Sequence, residues 1–234
     1  EEKSSLQDLL IRDISDTTQV WTNFTLQSPS VPTVADYVAL QKCILDGNCD
    51  FRDNRLDLVQ DPDDPNNQVL RCTAVAVDEE IVTSKASLSS SVLFFGKGDE
   101  MWFAARYRIV EGEPFTMVDF ENGHFAQHPG PRIVIRQDQI AMENKFGAKI
   151  NHNNQSSLLV PRDQWFTLKI HLLYSNEADG MIEIWQDEEP ILSLSGINLP
   201  TSNSIQNIVE IGASASQSGC VLLVDDVRIS DEAF

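Results

Sequence analysis

The sequence predicts an all-β fold: a two-sheet antiparallel jelly-roll sandwich with a short N-terminal helix. Three observations predict it. After residue 50 the chain is a series of short segments rich in Val, Ile, Phe and Trp. Gly, Pro, Asn and Asp punctuate them at short intervals, as in sandwiches and jelly rolls. Inside the segments apolar and polar residues alternate with the two-residue period of strands that have one face in a core. No linker, repeat or low-complexity tract divides the chain, so one domain is expected. Residues 1–50 form an arm and helix packed on the sandwich of residues 51–234.

Residues 5–14 carry Leu6, Leu9, Leu10 and Ile14 at near-helical spacing, which suggests a short helix or docked arm. A strand follows over Trp21–Leu26 and ends before Pro29 and Pro32. Thr33 is placed as an N-cap, with Asp36 three residues on as in a capping box. Val34, Tyr37, Val38, Gln41, Ile44 and Leu45 make one helical face, and Gly47 ends the helix. The strands that follow are expected at Gln68–Val77, Ser87–Phe95, Glu100–Val110, Phe115–Glu121, Arg132–Arg136, Gln139–Lys145, Trp165–Tyr174, Gly180–Gln186, Ile191–Leu194, Ile205–Ile211 and Val221–Ile229.

The net charge of -19 argues against nucleic-acid and anionic-membrane partners. No apolar run approaches the roughly 20 residues that cross a bilayer, so no membrane insertion is expected. The charge is uneven. Residues 104–171 hold 8 of the 17 Lys and Arg and all four His, against 7 of the 36 Asp and Glu. A near-neutral centre inside an acidic remainder suits a local site for an anionic ligand. The four Cys are even in number and lack a Cys-x-x-Cys pair, which points to disulfides and an oxidising compartment. Cys43 and Cys49 flank the turn Asp46-Gly47-Asn48 and are expected to pair, leaving Cys72 for Cys220. The chain opens at Glu1 without Met, as a mature or trimmed product does, and the disulfides lead us to expect a secreted or cell-surface protein. Asn23-Phe24-Thr25 and Asn154-Gln155-Ser156 are N-glycosylation sequons.

Alternation sorts the candidate site residues. Arg106, Arg108, Asp119, Glu121, Arg132, Arg136, Glu143, Lys145, Lys169, His171 and Trp185 fall opposite apolar neighbours, where one sheet could gather them in a groove. Arg and Lys pair with carboxylate or sulfate groups, carboxylates accept from sugar hydroxyls, and an indole face stacks on a pyranose ring. If the ligand is a uronate chain cut by β-elimination, a cation must neutralise the carboxylate, a base must take the C5 proton and an acid must protonate the leaving oxygen. His124, His152 and His171 are candidate bases, and Tyr107 and Tyr174 candidate acids. The loop Asp61-Pro62-Asp63-Asp64-Pro65-Asn66-Asn67 is dense in oxygen ligands, though it is no EF-hand loop. With Asp226 on the last strand, Asp61 and Asp63 are the candidate ligands of a structural calcium ion. No serine nucleophile elbow, zinc-protease motif or phosphate loop is present.

Residues Asp61 to Leu70 resemble the opening strand of concanavalin A-like (laminin G-like) jelly rolls. Trp165-Phe166-Thr167-Leu168-Lys169-Ile170-His171, followed by Asp179 to Asp187, is similar to their central hairpin. Val224-Asp225-Asp226-Val227-Arg228-Ile229 is similar to their closing strand. The order resembles that of the polysaccharide lyase-like group, which includes heparin lyase I and the alginate and glucuronan lyases. The likeness covers roughly residues 60–230 and implies the fold and the handling of carbohydrate. Alginate lyases of this fold carry Gln-Ile-His or Gln-Val-His and Tyr-x-Lys-x-Gly-x-Tyr strands. Here Glu143-Asn144-Lys145-Phe146-Gly147 keeps the Lys and a Gly but neither Tyr, and Gln-Ile-His is absent.

The leading expectation is therefore a secreted carbohydrate-active jelly roll that binds an acidic polysaccharide; the sequence leaves cleavage open, and β-elimination is the reaction expected if the protein is an enzyme. Arg106, Arg132, Lys145 and Lys169 engage the anionic groups and Glu121 adds a carboxylate contact. His171 serves as base, Tyr107 as acid and Trp185 as stacking platform. The alternative is a non-catalytic lectin-like or structural extracellular module. Glycoside hydrolysis ranks third, because the Glu-x-Asp-x-x-Glu strand of jelly-roll endoglucanases is missing.

Overall fold

The computed structural model describes residues 21, 23–79, 81, 83–91, 93–123, 128–146 and 151–234. The expected arm over residues 5–14 lies outside them, as does His124. The described residues form fourteen strands and one helix, and every strand pairing is antiparallel. From edge to edge, the first sheet runs β1 (Asn23–Gln27), β4 (Ser84–Ser90), β13 (Ile208–Ser216), β6 (Thr116–Asn122), β7 (His128–Arg136), β8 (Gln139–Asn144) and β9 (Asn151–His152). The second runs β12 (Glu189–Ser195), β11 (Met181–Gln186), β10 (Phe166–Leu173), β5 (Glu100–Gly112), β14 (Cys220–Ser230), β3 (Gln68–Ala74) and β2 (Arg55–Gln60). This is the predicted two-sheet sandwich. Two strands were not anticipated, β2 and the two-residue β9. In β2 the cue was present, since Leu56 and Leu58 alternate with Arg55 and Asp57 and Leu56 is buried.

Register explains the core. On the first sheet Phe24, Leu88, Ile211, Val118, Ile133 and Met142 stand side by side on six neighbouring strands, all buried. On the second, Ile184, Ile170, Phe103 and Ile229 form the facing row. The sheets interlock where Phe103 meets Phe120 edge to face, 5.8 Å between ring centres at 85°, the arrangement the ring quadrupole favours. Because β1 is an edge strand of the first sheet, the segment before residue 50 is built into the sandwich.

Helix α1 (Val34–Leu45) carries the expected capping box, with Thr33 and Asp36 bonding reciprocally. Its inward stripe is Tyr37, Leu40 and Ile44, at helical spacing. Val34 and Val38, expected on that stripe, are instead 65% and 48% exposed. Cys43 and Cys49 form a disulfide, as expected. Cys72 and Cys220 do not; both are free thiols buried in the core. On the paired strands β3 and β14, Cys72 lies opposite Leu222 and Cys220 opposite Ala74, so the two are out of register by two residues. Burial holds the Cys72 thiol far above its usual range and pushes Cys220 up to about 11. Both therefore stay protonated and behave as small apolar side chains.

Gly212 on β13 shows how closely the layers approach. Its φ is +112°, and an added Cβ would lie 2.8 Å from both the Ala86 carbonyl oxygen and Cys72 Sγ. Gly212→Ala is therefore expected to destabilise the fold by about 3 kcal/mol, from overpacking and a strained backbone. Urea unfolding checks this; a loss below about 1 kcal/mol would show that the layers can part there at little cost.

Candidate functional site

The face of the first sheet that points away from the core carries a polar row across all seven strands. In register it reads Asn23, Ser89, Glu210, Asp119, Arg132, Glu143, Asn151. The first six are each a direct chain neighbour of a residue in the core row, so strand alternation turns them outward, and Asn151 extends the row as the register partner of Glu143. The ends, Asn23 and Asn151, are exposed, and the middle is half-buried to buried.

Charge is concentrated in that middle. Lys145, just past β8, reaches over Asp119, with Nζ 2.5 Å from Oδ1, and also pairs with Glu121. Arg132 and Arg136 both close on Glu143, and their guanidinium carbons lie 5.1 and 5.6 Å from the Phe115 ring centre. Glu210 accepts from the Ser87 hydroxyl at 2.5 Å and the Ser214 hydroxyl at 3.1 Å, with the Lys85 ammonium 3.6 Å away. Four cations thus interleave with four carboxylates. Asp119 is 3% exposed, and burial pushes its pKa up to about 7. Lys145 works against that rise, while the charges of Glu121 and Glu210 add to it. Burial also disfavours the Lys85 cation, but Glu210, Asp119 and Glu121 outweigh it and hold its pKa above the usual value. A carboxyl group that titrates near neutrality beside an ammonium can give and take protons at physiological pH.

The sequence-derived set does not share this surface. Glu121, Arg132 and Lys145 belong to it, but Arg106, Lys169, His171 and Trp185 stand on the outward face of the second sheet. The expectation of one groove for all of them is corrected: outward alternation holds on both sheets, and the two outward faces are opposite sides of the sandwich. Tyr107, the expected acid, points into the core at 0% exposure, where its hydroxyl donates to the Met117 carbonyl at 3.5 Å. Tyr174 is equally buried and donates to Gln206. His171 is 6% exposed, stacked 3.9 Å from Trp102, with Glu183 and Glu100 carboxylates 3.1 and 3.0 Å from its two ring nitrogens. Lys169 donates to the Phe234 carbonyl at 2.5 Å over the Trp102 ring, and Trp185 lies 6.2 Å from Trp102.

The acids expected to hold calcium are engaged by arginines in this structure. Asp61 and Asp226 pair with Arg106 and Asp63 with Arg108. Among the described residues no three His, Cys, Asp or Glu side chains converge as metal ligands. Sequence reasoning also missed Lys85, Ser87, Glu210 and Ser214. Glu210 was readable, standing between Val209 and Ile211 in a predicted strand. Lys85 fell two residues before the strand then expected to begin at Ser87.

The fold is shared with solved structures. An endo-β-1,4-glucuronan lyase from the fungus Trichoderma reesei superposes with a TM-score of 0.63 at 11% identity, covering 90% of this chain and 95% of its own. The alginate lyase AlgAT5, of polysaccharide lyase family 7, gives 0.58 at 10% identity over 93% and 96%. The cellulose-induced protein Cip1 gives 0.57 at 12% identity over 77% and 87%. No curated protein matches the chain. The polysaccharide lyase family model matches residues 17–227, nearly the whole sandwich including every residue of the polar row from Asn23 to Glu210, and the chain belongs to that family.

Proposed function

We propose that this chain binds an acidic, uronate-containing polysaccharide across the polar face of the first sheet and cleaves it by β-elimination. The observation that carries the reading is the Asp119–Lys145–Glu121 group, set midway along a polar row that spans seven strands. Arg132 spends Nε and one terminal nitrogen on Glu143, which leaves the other terminal nitrogen to meet a uronate carboxylate and so acidify the C5 proton. The Asp119 carboxylate takes that proton. Its electron pair becomes the C4–C5 double bond, the bond from C4 to the glycosidic oxygen breaks, and the oxygen leaves with a proton from the Lys145 ammonium. Asp119 then returns its proton to Lys145 across 2.5 Å. The Cys43–Cys49 disulfide supports an extracellular place of work.

One observation favours a second reading, a non-catalytic glycan-binding module: Tyr107 and Tyr174 are in the core and His171 is on the other sheet. Ultraviolet absorbance of the unsaturated uronate product, followed over a panel of acidic polysaccharides, separates the two. The enzyme reading expects a rise that falls about a hundredfold or more in Lys145→Ala. Retention in glycan affinity gels without any rise establishes the binding module. Neither a rise nor retention with any acidic polysaccharide sinks both.

A further inference from the structure

Glu210 on β13 stands directly opposite Asp119 on β6 in the antiparallel register. Asp119 is buried, and the Glu210 side chain is 11% exposed. Like charges directly opposite on neighbouring strands repel at a cost to the sheet. The chain nevertheless fixes Glu210 in place. The hydroxyls of Ser87 and Ser214 both donate to its Oε1, at 2.5 and 3.1 Å, and the Lys85 ammonium lies 3.6 Å from the same oxygen. Both serines are buried. Ser214 reaches Glu210 because β13 is bulged. Four residues along a regular strand span about 13 Å. Here the register with β6 shifts between Ile211 and Ser214, and Ala215 adopts φ +51°, which brings the Ser214 hydroxyl back within reach of Glu210. Bulges beside a site re-aim side chains in this way.

We propose that Glu210 is a positioning residue: a carboxylate fixed beside Asp119 that sets how readily Asp119 takes a proton, and so acts on the reaction through Asp119. The inference rests on the lyase reading and adds to it the residue that tunes its base. Charged groups come to Asp119 from both neighbouring strands and from its own. Glu210 stands on β13, with Lys85 behind it on β4. Arg132, its register partner on β7, is turned to Glu143. Glu121 on β6 shares Lys145 with Asp119. Lys145 draws the proton off Asp119, and the negative charges of Glu121 and Glu210 favour keeping it. Glu210 is held by contacts outside the Asp119–Lys145–Glu121 group. Its charge therefore stays in place when an incoming uronate takes a share of Lys145, and Asp119 remains a base strong enough for the C5 proton.

Glu210→Gln removes the charge and keeps both serine contacts, because Oε1 still accepts. Carbon-13 NMR titration follows the Asp119 carboxyl, its signal assigned by its absence in Asp119→Asn, and kcat/KM for acidic polysaccharide is recorded against pH. In Glu210→Gln the Asp119 midpoint and the acid limb of the rate profile are expected to move down together by about one pH unit. Lys85→Met removes the opposite charge from the same place and is expected to move both upward. Loosened packing would move the two variants in one direction, whereas opposite charges move them apart. If the midpoint holds in Glu210→Gln, or both variants move it the same way, the positioning role is wrong whatever the enzyme does. If the midpoints move while the acid limb stays, Asp119 is not the base and the role of Glu210 falls with it. If the midpoints move and wild type cleaves no acidic polysaccharide, the lyase reading itself has failed, and the use of Glu210 in catalysis with it.

Discussion

Arg106→Ala is expected to destabilise the protein by about 3–5 kcal/mol, the usual loss when a buried ion pair keeps one partner. Arg106 sits at the centre of three carboxylates. Its guanidinium is 2.6 Å from Asp225, 2.6 Å from Asp226 and 3.4 Å from Asp61, and it stacks 4.7 Å from the Trp165 ring centre. The side chains of Asp61 and Asp225 are only 3% and 7% exposed, so removing the cation strands two negative charges out of water. The arrangement comes from a bulge in β14. The register with β5 shifts between Asp225 and Arg228, and Asp226 adopts φ +50°, which brings two consecutive acids against one arginine. Asp61 is tied in further by the Trp165 indole N–H at 3.1 Å and the Asp63 backbone N–H at 2.9 Å. Urea unfolding measures the loss, and glycan affinity of the folded fraction is expected to stay unchanged. A cost below about 1 kcal/mol would reduce the cluster to an ordinary surface pairing. A selective loss of glycan binding would return Arg106 to the candidate site.

This cluster marks the limit of what the sequence disclosed. Alternation placed Arg106 outward correctly, and equally so Lys169, His171 and Trp185. The same rule turned Asp119, Arg132 and Glu143 outward. What a two-residue period cannot carry is sheet membership, because β5 pairs with β10 and β14 whereas β6 pairs with β7 and β13. Those pairings join segments up to 128 residues apart, as Trp102 and Ser230 are, through connections that leave no local trace. Tyr107 illustrates a different failure. The alternation already grouped it with Phe103, Ala105 and Ile109 on the apolar side of β5, and only the need for an acid drew it into the site. Cys72 and Cys220 were expected to bond only because the other pair left them over; they do lie on adjacent strands, but two residues out of register, and stay free thiols. The elements themselves were legible, since β-branched and aromatic runs bounded by turn residues leave few alternatives.

A second large effect is expected from Asp119, and its sign runs against that of most carboxylates. Asp61, Asp53 and Asp36 have their pKa values lowered in the fold, so each contributes stability that is present near neutrality and lost on acidification. Asp119 is raised from 3.8 to about 7. Its folded form therefore binds a proton more tightly than the unfolded chain does. The contribution is full below the unfolded value and is lost as pH climbs through the folded one. At roughly 1.4 kcal/mol for each pH unit between the two values, the upper bound is about 4 kcal/mol, with the opposing pull of Lys145 already included. Asp119→Asn removes the charge and keeps the shape. The variant is expected to lose less stability than wild type between about pH 4 and pH 7, measured as urea midpoints across that window. Parallel pH curves for the two proteins would mean that Asp119 titrates like an exposed acid, and its assigned part in proton transfer would fall too. Convergent curves at low pH with wild type dropping away toward neutrality would establish a carboxyl held part-protonated in the middle of the polar row. In that state the Lys145 ammonium is shared between Glu121 and an incoming uronate, so affinity for an acidic glycan rises as stability does, toward lower pH.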